Sequence, residues 1–185
     1  MLRSPRSCRI SGRTGRTTVL RRNREFWYAL LIIAAITAIY LGTYQLAGSL
    51  PRASSLVGHS IGVIGFLLML MTETLYSIRK QMTDARWGDM ASWLRFHVVT
   101  GLVGPYMVLL HTSMRVQGLA GVALLLTVVV VISGFVGRYI YTAVPREGGG
   151  ALATWRAVHV PLTWALFITA FVHSAGALIY ATLQR

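Results

Sequence analysis

The chain has 185 residues, 55% of them hydrophobic and 12% charged, with a formal net charge of +13 and a mean hydropathy of +0.59. Long apolar blocks, each near the roughly 20 residues that cross about 30 Å of hydrocarbon, stand where a soluble domain would show amphipathic periodicity. They leave no room for a separate soluble catalytic domain, and the single cysteine, Cys8, excludes an internal disulfide, a cysteine-held iron–sulfur cluster and a multi-cysteine zinc site.

Taken in chain order, residues 1–25 carry eight arginines among Ser, Thr and Gly, and they read as a basic, disordered cytoplasmic extension. A transit peptide, or a start codon placed too early so that residues 1–18 are not translated, would share this composition. Region 26–183 then holds five predicted spans, at 26–47, 55–78, 91–112, 119–142 and 156–182. Pro51, the polar stretch 81–89, Gln117-Gly118 and the turn 145–150, which ends in three glycines, punctuate them. The first span reads as an uncleaved anchor. The fold class is an all-α integral membrane protein, a five-span bundle.

The basic residues segregate across this arrangement. The N-terminal extension, the loop after span two (Arg79, Lys80, Arg86, Arg95) and the loop after span four (Arg138, Arg146, Arg156) hold fifteen of the eighteen. Arg52, Arg115 and Arg185 are left for the other side. Positive residues favour the cytoplasm, so the N-terminus is expected inside and the C-terminus outside, in a bacterial inner membrane. That distribution accounts for the charge through the membrane and makes nucleic acid an unneeded partner.

Four of the five histidines form two pairs of equal spacing: His97 with His111 on span three, and His159 with His173 on span five. Fourteen residues rise about 21 Å and fall about 40° short of four whole turns, so each pair points from nearly one face. Spans separated by one run parallel, which brings His97 level with His159 near the inner face and His111 level with His173 near the outer. Ionisable groups are costly in a bilayer, and imidazole is a common ligand of haem iron. The pattern predicts a four-helix di-haem core within the five-span bundle, with two b-type haems, inner His97/His159 and outer His111/His173. No C-x-x-C-H segment is present, so coordination and packing would hold them.

Other residues are read around these. Arg95 and Arg156 near the inner pair, and Arg115 near the outer one, suit haem propionates, although the positive-inside pattern alone also puts Arg95 and Arg156 there. Gly101 and Gly104, with Gly134 and Gly137, would let a flat macrocycle approach the backbone, or else mediate helix packing. His59, level with the outer pair, would ligate iron in another pairing, meet a propionate or serve a quinone site. Glu73, 14 residues on, would serve the same proton chemistry or pair with Arg79 or Arg138. The tryptophans read as interfacial anchors without chemistry.

With those histidine pairs, the chain resembles the di-haem membrane cytochromes b, including the ferric-reductase-like transmembrane domain, over about residues 55–182. The stretch Ser133-Gly-Phe-Val-Gly-Arg-Tyr-Ile-Tyr, running on to Pro145-Arg146, is similar to a segment of small bacterial cytochromes of this kind. The resemblance implies an electron-transfer subunit working between a quinone or redox partner and an acceptor across the membrane. It implies partners such as an iron–sulfur, flavin or c-type cytochrome protein. No flavin or nicotinamide domain follows span five, and the quinone-loop motif of quinol-oxidising cytochromes b is not evident. Two alternatives stand beside it: a ferric-reductase-like or quinone-reducing enzyme acting at its own outer surface, and a haem-free membrane protein whose histidines bind a metal ion.

Overall fold

A computed structural model describes residues 24–49, 51–82, 88–113, 116–143 and 149–183. They form five helices: α1 (Arg24–Ala47), α2 (Leu56–Gln81), α3 (Met90–His111), α4 (Gly118–Ala143) and α5 (Gly149–Leu183). Among the described residues there is no strand. All five helices are long and apolar enough to cross a bilayer. Leu, Ile, Val and Phe side chains cover the exterior, with Leu31, Ile39 and Phe171 each more than 60% exposed. Such a surface is suited to acyl chains, as in an integral membrane protein.

Local chemistry sets the ends. Ser55 caps α2 by accepting the Gly58 amide at 3.1 Å, and Asp89 caps α3 by accepting the Ser92 amide at 3.2 Å. Gly48 ends α1 with φ of +68°, a left-handed turn that glycine takes without penalty. After α3, Ser113 holds φ of +48°, and its hydroxyl donates to the Pro51 carbonyl at 2.8 Å. That bond ties the end of α3 to the loop between α1 and α2, next to His111.

The bundle differs from the expected spans chiefly in α5, which begins at Gly149 rather than at Arg156. Gly149 and Gly150 of the expected turn enter the first helical turn instead. Tertiary contact outweighs their low helix propensity. Trp155 inserts where Gly137 has no side chain, since a Cβ on Gly137 would lie 2.2 Å from the indole. Its Nε1 donates to the Ser133 carbonyl at 2.7 Å. At 35 residues, α5 is about 52 Å long, longer than the hydrocarbon thickness.

α3 is central and packs on α1, α2 and α4, while α4 also packs on α5. The tightest seam is α2 against α3. There Gly65 and Gly104 cross so closely that a Cβ on either would come within about 3 Å of the other's carbonyl oxygen. Lipid offers no hydrophobic drive for helix pairing, so close backbone approach and polar contacts supply it. The Thr72 and Thr100 hydroxyls meet at 2.6 Å inside this seam. On the α1 side, the hydroxyls of Thr37 and Tyr106 also meet at 2.6 Å, beside Ala29, Val103 and Met107. The first turn of α1 is fastened to α4 by a Glu25–Arg138 ion pair and by a Phe26–Phe135 stack with centroids 5.5 Å apart. α3 and α5, the two helices that carry the paired histidines, are not among the closely packed pairs.

Candidate functional site

Each histidine of α3 is held from α2. His111 Nδ1 lies 2.8 Å from the Gly58 carbonyl, and His97 Nδ1 lies 3.2 Å from the Thr72 carbonyl. A carbonyl only accepts, so each ring must carry its proton on Nδ1 and leave the Nε2 lone pair available. Gly58 and Thr72 are themselves 14 residues apart, and one antiparallel register therefore serves both rings. One turn beyond each acceptor, α2 makes room or makes contact. A Cβ on Gly62 would sit 2.6 Å from the His111 ring, whereas the Tyr76 ring packs 4.8 Å from that of His97.

On the other half, His159 Nδ1 is hydrogen-bonded to the Ser133 hydroxyl of α4. Trp155, one turn earlier on α5, stacks on the His159 ring at 4.7 Å and 21°. Gly134 leaves space beside the ring, since its Cβ would lie 3.9 Å from His159 Cε1. His173 is partly buried on the same helix.

Across the bundle, His159 lies within electrostatic reach of His97, and His173 within reach of His111. The helix backbones of α3 and α5 stand apart. Among the described residues there is no group of three or more metal-ligating side chains. A bare ion held by protein alone ordinarily takes more than two such ligands. A porphyrin iron takes four nitrogens from the macrocycle and asks the protein for two. Imidazoles with Nδ1 engaged and Nε2 open, as in His97 and His111, fit that demand.

The other expected residues fall differently. His59 is exposed and meets the edge of the His111 ring at 6.5 Å, lying beside that level. Arg95 is exposed and donates to the Ser92 hydroxyl at 2.7 Å, and Arg156 is exposed. Arg115 lies outside the described residues. Gly104 and Gly101 face α2, at Met69 and Thr72, and Gly137 faces Trp155, so of the four glycines only Gly134 borders a histidine ring. The arginines offered to Glu73 are engaged elsewhere. Arg138 pairs with Glu25, and Arg79 donates to the carbonyls of Met82 and Gly88. Glu73 itself lies within electrostatic reach of His97.

Four contributors escaped the sequence reading: Ser133, Trp155, Gly62 and Tyr76. Trp155 precedes His159 by one turn, a spacing that puts both on one face and that the anchor reading overlooked. Ser133 and Gly62 belong to other helices, and only the packing reveals them. No protein-family model matches this chain, and no curated protein or solved structure matches it. The class therefore rests on the fold: an all-helical bundle of five helices, each long and apolar enough to cross a membrane.

Proposed function

We propose that the chain is a membrane electron-transfer subunit holding two b-type haems by paired histidines, His97 with His159 and His111 with His173. The observation that carries this reading is the orientation of the rings. His97 and His111 donate from Nδ1 to the Thr72 and Gly58 carbonyls, which leaves the lone pair of each Nε2 for ligation, and His159 Nδ1 is engaged by the Ser133 hydroxyl. When bound, haem supplies a reversible one-electron centre at each level. The chain's own residues would hold each haem by two imidazoles, and the Thr72 and Gly58 carbonyls would fix the tautomers of His97 and His111. Levels about 21 Å apart along the helices divide the crossing into short steps.

The arginine distribution supports a cytoplasmic N-terminus and an outer C-terminus in a bacterial inner membrane, which puts His97 and His159 at the inner level. Electrons pass between a quinol pool or a redox partner subunit (iron–sulfur, flavin or c-type cytochrome) and an acceptor on the other side. An enzyme reducing ferric chelates or quinone at its own outer surface is the second reading, favoured by the exposed His59 beside His111. Reducing the purified protein with dithionite tests the proposal. A b-type α-band with about two haems per chain is expected, and a colourless preparation contradicts it. Adding a ferric chelate to the reduced protein separates the two readings, since rapid reoxidation without a partner favours the surface enzyme.

A further inference from the structure

α2 presents the same two-residue step to each histidine of α3. The Gly58 carbonyl holds His111 and is followed by His59, and the Thr72 carbonyl holds His97 and is followed by Glu73. The backbone parts of the two steps are alike, and the side chains differ in charge. The His59 ring meets the edge of the His111 ring at 6.5 Å, whereas Glu73 lies within electrostatic reach of His97. Half-buried, Glu73 also lines a cleft between α2 and α5 beside Thr163, which is one turn beyond His159. It therefore faces both helices of the His97/His159 level.

That charge is confined to one level. The chain has five acidic residues: Glu25, Glu73, Asp84, Asp89 and Glu147. Glu25 is paired with Arg138 at the first turn of α1, and Asp89 caps α3. Asp84 and Glu147 lie outside the described residues. No acidic residue falls in the half of any helix that lies toward His111 and His173. A carboxylate within a span is costly unless a positive charge faces it. The nearby cations do not meet that need. Arg79 donates to the Met82 and Gly88 carbonyls, and Arg95 donates to the Ser92 hydroxyl at an exposed position where water screens it. Lys80 and Arg156 are exposed as well. A haem held by two imidazoles would supply the charge, because its ferric core is cationic and its ferrous core neutral.

We propose that Glu73 is the counter-charge of the haem held by His97 and His159, and that its carboxylate lowers the potential of that level alone. The proposal rests on the di-haem reading. Glu73 ligates nothing; it acts on the iron through its field, as a tuning residue. Its negative charge stabilises the ferric state, and one electron entering this level cancels the positive core that the carboxylate favours. At the other level the equivalent step holds His59, and reduction meets no such resistance. Glu73 thus makes electron transfer from the His97/His159 level to the His111/His173 level more favourable. A half-buried charge some 10 Å from an iron, in surroundings of intermediate dielectric, changes the redox ratio about ten-fold.

Redox titration of the full chain in phosphatidylcholine nanodiscs, followed by haem absorbance, tests it. Glu73→Gln keeps the size and polarity of the side chain and removes its charge. One of the two waves should move up, with the oxidised-to-reduced ratio at fixed potential falling about ten-fold, about 59 mV for one electron. The other wave should stay. Glu73→Asp retains the charge and should restore most of the original position, which a merely structural role would not require. The reciprocal variant, His59→Glu, puts a carboxylate on the equivalent step and should lower the second wave while the first stays. It keeps Glu73 and so tests the proposal even if Glu73→Gln does not fold. Pairing Glu73→Gln with His111→Ala and His173→Ala should preserve the shift, and pairing it with His97→Ala and His159→Ala should abolish it. Unmoved waves in both Glu73→Gln and His59→Glu, or a shift of both waves alike, overturn the proposal. A colourless preparation overturns it together with the di-haem reading, whereas a two-haem chain with unmoved waves overturns it alone.

Discussion

The two halves of the bundle orient their histidines by different means. α2 offers backbone carbonyls to His97 and His111, and a carbonyl accepts only, so the tautomer of each α3 ring is dictated by the main chain. α4 offers His159 the hydroxyl of Ser133, which donates or accepts equally well, and adds the stacked Trp155 as a second restraint. The first arrangement needs close helix approach, supplied by Gly62, Gly65 and Gly104, and no particular side chain as acceptor. The second needs one serine and one tryptophan at defined positions. The α3 histidines are therefore sensitive to added bulk on α2, and His159 is sensitive to chemical change on α4.

The largest effects come from the ligands themselves. On the proposed reading, replacing any one of His97, His111, His159 or His173 by Ala removes one haem and leaves the other level intact. Pigment assays of the purified variants should therefore show about half the haem of the unaltered chain. Retention of both haems in any of the four would remove that histidine from the site.

Next comes the steric arm of the comparison. Gly62→Val places a Cβ 2.6 Å from a His111 ring already anchored at Gly58. The ring must turn or the helices must part, at about 1–3 kcal/mol for overpacking. Melting of the purified protein should show that loss together with reduced haem at the His111/His173 level, while the other level keeps its spectrum. An undisturbed His111 level in Gly62→Val would mean that α2 does not set that ring.

The chemical arm is smaller. Ser133→Ala frees His159 Nδ1, and losing such a partner typically lowers metal affinity by about 10–100-fold, read here as faster haem transfer to an apoprotein acceptor. Trp155→Phe keeps the stack but removes the bond to the Ser133 carbonyl, an expected loss of about 0.5–1.5 kcal/mol in stability. If these two variants equal Gly62→Val in effect and act on both levels alike, the distinction between the halves fails.

The smallest effect lies outside the membrane. The Ser92 hydroxyl, hydrogen-bonded to Asp89 at the start of α3, holds this carboxyl below the usual carboxylate range. A depressed folded value means that the cap's contribution is complete above the unfolded value and is lost as pH falls through the folded one. The melting difference between the unaltered chain and Asp89→Ala should accordingly shrink to nothing at the acid end. A difference that grows on acidification would reverse the sign of this account.

The spans were legible because length and apolarity suffice to define a crossing, and the structure keeps each within a few residues except α5. Its early start was hidden because a run of glycines signals a turn unless a partner such as Trp155, seated on Gly137, holds the helix onward. The equal histidine spacing was legible, since rise and rotation follow from helix geometry alone. What orients the rings was not. Thr72 and Gly58 act through carbonyls that every residue possesses, so no side chain advertises them. Gly104 shows the same limit from the other direction. A glycine announces a close approach without naming the neighbour, and here the neighbour is Met69 on α2.

Haem content of two double variants tests the central claim most directly. His97→Ala with His159→Ala empties one level and should leave about one haem per chain. His97→Ala with His173→Ala breaks both levels and should leave none. Equal content in the two would contradict the pairing of histidines across the bundle.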